Sequence, residues 1–391
     1  MRKLPDIAPH LRPFMKKLLP LLLLLGVAAH AQRPVAPQSA AIWQQFAVEG
    51  KEGYRYGYKD ASGKVRIPAK FGNFTNTQSF RHIMAVSESA TLKQYYLLKS
   101  GRQVGRDSVY MFDYTFDCES EGKIRFKDYR KDRVGFLDRS GRAIIPAMYN
   151  YVSPFHNGLA AALIGARRTC WGEAGADTLT CEHPTWEGGR ELLINERNEI
   201  VVSDPALARP AFLNWYSLQV NQAAPDTSIT TTFRAVNGDR YTFTDYQKEF
   251  TCWFYDVFVP AVRSGEAAKV EPLCFLELAV ASQPFRGWPH FERAAFIKKF
   301  YQPTLLPKLR GLRYGAKNVD VFSETLNTLI FDSQNFRPFL TDCGEAFQAK
   351  YPTFSLVITE IGASGKRNYG HQQHFAFIRT AKGYRLYCLS L

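Results

Sequence analysis

Several kinds of residue pattern are missing from this chain. It has no Cys-x-x-Cys, which excludes a dithiol redox motif and a zinc ribbon. It has no His-Glu-x-x-His, no Gly-x-Ser-x-Gly and no correctly spaced phosphate-cradling loop. Ser364-Gly365-Lys366-Arg367 has the composition of such a loop without the spacing, and reads as a solvated loop. Dense basic clusters are also absent, although the formal net charge is +14. Scattered basic residues without a recognised motif argue against nucleic acid as a partner. No metal or cofactor is expected on these grounds.

Only one long apolar run exists, and it lies near the start. Met15-Lys16-Lys17 is a short basic lead, Leu18 to Ala29 is apolar, and Ala29-His30-Ala31 has the small-x-small form of a cleavage site. Residues 1–31 therefore read as a secretory signal, too short for a mature transmembrane helix. Met15 opens a complete signal by itself, which points to it as the translation start. No cysteine follows the cleavage site, so a lipoprotein anchor is not expected. Removing the leader's five basic residues and one acid leaves +10. The expected location is outside the cytosol: periplasmic, outer-surface or extracellular. An envelope polymer or an unidentified protein is the expected class of partner.

Seven cysteines accompany this address, at 118, 170, 181, 252, 274, 343 and 388. Export permits disulfides, and the odd count leaves at least one thiol outside an internal bridge. Cys170 and Cys181 flank a short polar insert and form a plausible local bridge.

After a Pro- and Gln-rich tether and lead-in (residues 32–52), one design recurs. Gly57-Tyr58-Lys59-Asp60-Ala61-Ser62-Gly63 runs on to Ile67-Pro68. Gly135-Phe136-Leu137-Asp138-Arg139-Ser140-Gly141 runs on to Ile145-Pro146. A worn copy surrounds Gly101, so the turn glycines are spaced by 38 and 40 residues. Each unit reads as strand, tight turn, strand. The aspartate bonds back into the turn, the glycine takes the left-handed conformation, and the proline is expected to end the second strand. Those turn positions account for Asp60 and Asp138 without any catalytic role. The aromatics Tyr56, Tyr58, Phe71, Phe136 and Tyr149 are expected inside, between β-units, in preference to a sugar-stacking stripe.

Gly-aromatic-x-Asp-x-x-Gly-x-x-Ile-Pro, then an aromatic (Phe71, Tyr149), then Phe155-His156-Asn157-Gly158-Leu159-Ala160, resembles the WG repeat. Tyr56 and Val134 stand where that family has tryptophan. The second copy has lost its Ile-Pro. A fourth, partial unit spans Arg190 to Val202, with Asn195 in the Asp place and Asn198 in the Gly place. The resemblance lies in the N-terminal half. It implies a β-rich tandem array, found in exported bacterial proteins, that binds or scaffolds and does not catalyse.

Composition changes near Asp204-Pro205, which sets the expected division into β-repeats (53–205) and an α+β domain (206–391). Thr244-Asp245-Tyr246-Gln247 has the form of a capping box ahead of a helix that Pro260 stops. A second helix is expected from Pro289 to before Pro303. Apolar spacing suggests a third through Phe322 to Ile330 and a fourth through Phe336 to Tyr351. Strands near 354–358, 374–379 and 384–389 close the chain, with 362–370 as a loop. This order loosely resembles an NTF2-like cone, which implies a pocket on a concave sheet.

One enzymatic alternative stands beside the binding reading. Asp342-Cys343 followed by His371 and His374 resembles the Cys-then-His order of NlpC/P60-type cell-wall peptidases, which would make the C-terminal domain a cysteine hydrolase. Gly344-Glu345 departs from that family's Ser-Gly, and Cys343 sits in an apolar stripe that favours a packed thiol. His371 and His374, three apart on a strand, point to opposite faces and are not expected to share a metal ion.

Overall fold

A computed structural model describes residues 42–51, 53–170, 181, 184–203, 213–223, 226–282, 285–362 and 364–391. The leader, most of the tether and the expected linker around residues 204–210 lie outside these.

Small antiparallel sheets follow one another among the described residues from Trp43 to Thr244. The first contains Val65–Phe71, Gly53–Lys59, Trp43–Gly50 and Ser79–Phe80 in that order. The second contains Ile83–Ser87, Gln94–Leu98 and Gln103–Val104, and the third Lys123–Asp128, Arg133–Asp138 and Ala143–Tyr149. Tyr151–Val152, Leu159–Ile164, Arg190–Asn195 and Ile200–Val202 make the fourth. A fifth is ordered Gln219–Val220, Arg240–Thr244, Thr230–Arg234.

The reason these segments form equivalent hairpins is visible in their turns. Position 60 donates to the carbonyl of 64 and accepts from the N–H of 63. The same two bonds recur from Leu98, Asp138, Asn195 and Ala235, all at 2.8–3.0 Å. The residue three past each start has positive φ: Gly63 82°, Gly101 86°, Gly141 74°, Asn198 63° and Gly238 88°. The fifth copy, Ala235-Val236-Asn237-Gly238, was not read from the sequence. It keeps the backbone geometry but none of the Asp and Ser side chains. Its extra strand pairs on the opposite edge, beside Arg240–Thr244, as expected of an atypical terminal unit.

Two residues before each turn lies a buried side chain: Tyr58, Tyr96, Phe136, Leu193 and Phe233. Alternation along the strand sends successive residues to opposite faces. Tyr95 and Leu97 therefore pack with Tyr58 against the first sheet, while Tyr96 packs with Leu137 of the third. Phe136 joins Leu192 and Ile194 of the fourth sheet, and Leu193 joins Phe233 of the fifth. Four separate cores thus lie between five stacked sheets, and each sheet contacts its sequence neighbours. This is the serial energetics of a repeat array.

The two glycine-proline copies share one irregularity. Tyr56 and Tyr58 pair with Phe71 and Ile67; Val134 and Phe136 pair with Tyr149 and Ile145. Three residues on one strand thus face five on the other, so the second strand bulges. Pro68 and Pro146 ride in that bulge, and the strands continue past them to Phe71 and Tyr149. Proline does not end these strands because a bulged residue owes no N–H to the ladder. The bulge presses onto Gly57 and Gly135. A Cβ at Gly57 would lie 2.6 Å from the Ile67 oxygen, and one at Gly135 2.6 Å from the Pro146 carbonyl carbon.

Beyond Thr244 lies a six-stranded sheet ordered His290–Glu292, Cys274–Ala281, Gly383–Ser390, Arg367–Thr380, Thr353–Ile361, Val319–Glu324. Only the pair Cys274–Ala281 with Gly383–Ser390 is parallel. The last hairpin runs as read from the sequence, except that its first strand begins at Arg367 and takes in residues assigned to a loop. Helical segments Tyr246–Trp253 and Arg293–Phe300 cover one face, where Phe250, Phe254, Phe258 and Phe296 pack with Phe354, Phe375 and Phe377. Leu326, Phe331 and Phe336 cover the other, against Phe275 and Tyr387. Both faces are filled by side chains, so the pocket expected on a concave sheet is occupied by core.

The helices depart from expectation in instructive ways. Asp245, not Thr244, caps the first, accepting from the N–H groups of Gln247 and Lys248. The helical path does not stop at Pro260. A wide turn, Phe254–Phe258, closes with Val259 N–H on the Phe254 carbonyl, and the path runs on to Arg263. The second helix starts at Arg293, not Pro289, and repeats the device: Leu306 bonds back to Tyr301 just before Pro307. A five-residue closure moves the carbonyl that a proline ring would otherwise strike. The expected third and fourth helices are absent. Val319–Glu324 is an edge strand paired with Thr353–Ile361, and residues 325–351 are turns with one short 3-10 helix, Arg337–Phe339, and Gly344 at φ 78°.

Candidate functional site

The repeat signature residues do not converge. Asp60 Oδ1 accepts from Ser62 N (2.9 Å), Ser62 Oγ (2.6 Å) and Lys64 N (3.1 Å). Asp138 makes the matching set with Ser140 and Arg142. Hydrogen bonding, led by the Ser62 hydroxyl, lowers the Asp60 carboxyl to about 2. At Asp138 partial burial pushes upward, but the Ser140 hydroxyl and the N–H groups of Arg142 and Ser140 outweigh it, giving about 2. Both carboxylates are spent on their own turns.

What does converge is a pair of segments from distant parts of the chain. Residues 117–121 run along the ends of the sheets, and each fastens something different. Asp117 holds Arg125 in a nearly buried ion pair at 2.5 Å. Cys118 is disulfide-bonded to Cys343. Glu119 accepts from the N–H groups of His82 and Ile83, both at 3.1 Å, and from His82 Nδ1. The Ser120 hydroxyl donates to the Phe155 carbonyl at 2.6 Å. Glu121 accepts from Asn157 N (2.6 Å), Gly158 N (2.9 Å) and the Tyr216 hydroxyl (2.8 Å). The two glutamates thus satisfy the turns that open the second and fourth sheets. Such charge-assisted bonds are roughly twice as strong as neutral ones.

Residues 338–351 form a strap facing this segment. The Asp342 carbonyl accepts from both Gln78 N and Ser79 N at 2.8 Å, and its carboxylate takes Arg81 at 2.6 Å. Burial pushes the Asp342 carboxyl upward against the pull of Arg81. Further along, the Phe347 ring meets Tyr216 edge-on at 5.7 Å and His156 at 6.0 Å, and Ala349 packs against the core under the fifth sheet. Burial lowers the His156 imidazole, which leaves it neutral near pH 7. The strap therefore reaches from the first sheet to the fifth.

Between segment and strap lies a cavity of about 870 Å³, within the range of small-molecule sites. Its walls include Tyr110, Phe112, Tyr216, Phe347, Arg81 and Glu345. Phe112, on the short hairpin Met111–Phe112 with Thr115–Phe116, is 68% exposed. None of the repeat-turn residues lines the cavity.

The residues of the hydrolase alternative are dispersed or consumed. Cys343 lies in a turn, not on a helix, and its sulfur is bonded to Cys118, so it offers no thiolate in this state. His371 is exposed and lies 3.8 Å from Glu360. His374 sits in the sheet opposite Val357 and Ser390. Cys170 and Cys181 are bonded to each other; Cys252, Cys274 and Cys388 are free. Burial pushes the Cys274 and Cys388 thiols up to about 12, the opposite of an activated nucleophile.

Residues 135–166 match the family described as WG containing repeat. No curated protein matches the chain. The matched stretch holds the last two strands of the third sheet and the first long strand of the fourth. Each sequence repeat therefore straddles two sheets and joins them covalently. Among the described residues no helix is long and apolar enough to cross a membrane.

Proposed function

We propose that this is an exported, non-catalytic binding or scaffold protein whose stacked WG-type sheets, extending to Thr244, form a platform for an envelope partner. The observation that carries this reading is that the signature turn residues are spent on building the stack, while the cavity and the exposed Phe112 are left over at its side. The small-x-small site at Ala29-His30-Ala31 supports export. Repeat stacks are rigid one-dimensional frames, and such frames carry extended contact surfaces. The strap and the six-stranded sheet behind it would then buttress the platform.

The reading is tested in intact cells with a photo-crosslinking residue placed at Phe112 or, as control, at Leu329, which is 90% exposed beside the C-terminal sheet. Adducts in the envelope fraction from position 112 alone are expected. Adducts from position 329 alone, or retention of an uncleaved protein in the cytosol, would overturn it.

A further inference from the structure

We propose that the cavity between residues 117–121 and the strap binds an organic cation, an alkylammonium or guanidinium group carried on an aromatic or aliphatic body. This deepens the binding reading above and rests on it.

The first argument is local charge. The chain as a whole is strongly positive. The cavity lining reverses that sign: Asp113, Asp117, Glu119, Glu121, Asp342 and Glu345 face only Arg81, Arg125 and Lys350, besides two histidines. Both arginines are already engaged, Arg125 by Asp117 and Arg81 by Asp342, and Glu119 holds His82. What remains is Asp113, Glu121 and Glu345 against Lys350. Among the described residues the Glu121 carboxylate is hydrogen-bonded only by neutral donors, Asn157 N, Gly158 N and the Tyr216 hydroxyl, so none of them cancels its charge. An anionic ligand would enter a field of its own sign, and a cation would be drawn in.

The second argument is independent of the first. The aromatic walls already accept cations from within the chain. The Arg125 guanidinium lies 4.4 Å from the Tyr110 ring centroid. Lys350 Nζ lies 5.4 Å from the centroids of both Tyr216 and Tyr351. These are ordinary cation–π distances, and the attraction strengthens where water is excluded. Phe112, exposed at the wall, adds an apolar face for the ligand's body. A carbohydrate would use the same rings but gain nothing from the uncompensated carboxylates, and an acidic ligand would be repelled by them.

The test uses the oxidised mature protein and three probes of nearly equal size: 2-phenylethylamine, 2-phenylethanol and phenylacetate. Binding is followed by titration calorimetry and by ligand-observed NMR at low salt. The amine is expected to bind about tenfold more tightly than the alcohol, with phenylacetate weakest. Asp113→Asn combined with Glu345→Gln should remove most of the amine's advantage and leave the alcohol unchanged. Both side chains are exposed, so the variant keeps its fold. Phe112→Ala should weaken amine and alcohol alike. Equal binding of amine and acetate, an unaltered amine affinity in the double variant, or no binding of any probe would overturn the proposal. The crosslinking result at Phe112 would be untouched by those outcomes, so the two readings fail separately.

Discussion

The first and third repeats differ from the second, fourth and fifth in one linked pair of residues. Gly57 comes with Pro68 and Gly135 with Pro146. At the matching places the other copies have Tyr95 with Arg106, Leu192 with Ser203 and Thr232 with Phe243. Glycine and proline are thus kept together or missing together. The geometry gives the reason: the proline strand bulges onto the glycine, where a Cβ would meet backbone atoms at 2.7 Å or less. With the bulge, the second strand runs seven residues and ends on a buried aromatic, Phe71 or Tyr149. Without it, the matching strand is two residues long in the second unit, three in the fourth and five in the fifth. All five copies keep the left-handed turn and the buried side chain two residues before it. The turn and its anchor define the stack, and the bulge is an added source of local rigidity.

Two of the three copies without the glycine-proline bulge sit next to covalent help. Cys118 follows the second unit and ties the chain to the strap, while Cys170–Cys181 closes the insert within the fourth. If these bridges replace the missing bulge, removing them should loosen the worn units first. Chain entropy sets upper values of about 5 kcal/mol for the bridge spanning 225 residues and about 3 kcal/mol for the one spanning 11. A Cys118→Ala/Cys343→Ala variant should therefore show the largest fall in urea midpoint, and Cys170→Ala/Cys181→Ala a smaller one. Hydrogen exchange should show lost protection beginning in the second and fourth sheets. Equal early exchange in the first and third would break the comparison.

The bulge itself is tested by filling it. Gly135→Ala places a methyl against the backbone of Pro146 and Ala147, which cannot yield as a flexible side chain would. A loss of about 3 kcal/mol is expected. Gly63→Ala meets nothing within 4 Å and suffers only its φ of 82°, so about 1 kcal/mol is expected. Denaturant unfolding of the two variants gives the ratio directly. Similar losses would show that the bulge is incidental.

A worn turn supplies the next measurement. Asn198 occupies the left-handed position without glycine and accepts a hydrogen bond from the Tyr149 hydroxyl at 2.7 Å, reaching back to the third repeat's buried aromatic. Asn198→Ala should cost about 1–2 kcal/mol through strain and the lost bond together. Asn198→Gly, which relieves strain but still loses the bond, should cost less. The reverse order in thermal or urea unfolding would mean that Asn198 is not held in that conformation.

These contrasts also show what a sequence displays. The hairpins were legible at Asp60, Asp138 and even Asn195 because each turn is built from residues within five positions, and side-chain chemistry marks the place. The fifth hairpin escaped because Ala235-Val236-Asn237-Gly238 shares only backbone geometry with the others. The apolar spacing from Phe322 to Tyr351 imitated helices because loops that cover a sheet face must also supply apolar side chains at intervals. Pro338 and Gly344 were the signs against it. The strap and its cavity were invisible for a different reason: Cys118 and Cys343 are 225 residues apart, and nothing local at either end announces the other.

The smallest effect separates the two classes of repeat by pH. Only the first and third turns are built on an aspartate; the others start at Leu98, Asn195 and Ala235. Asp60 and Asp138 are both held at about 2 by the hydrogen bonds of their turns, below the ordinary carboxylate range. A folded-state value below the unfolded one means that the unfolded chain binds protons first. The stability they add is fully present above the unfolded value, near pH 4, and is lost as pH falls toward 2. Amide exchange across pH 4 to 2 should therefore show the first and third turns losing protection while the turns at Gly101, Asn198 and Gly238 hold theirs. Asp60→Asn with Asp138→Asn should flatten that dependence. Acid loss spread evenly over all five turns would place the titrating groups elsewhere.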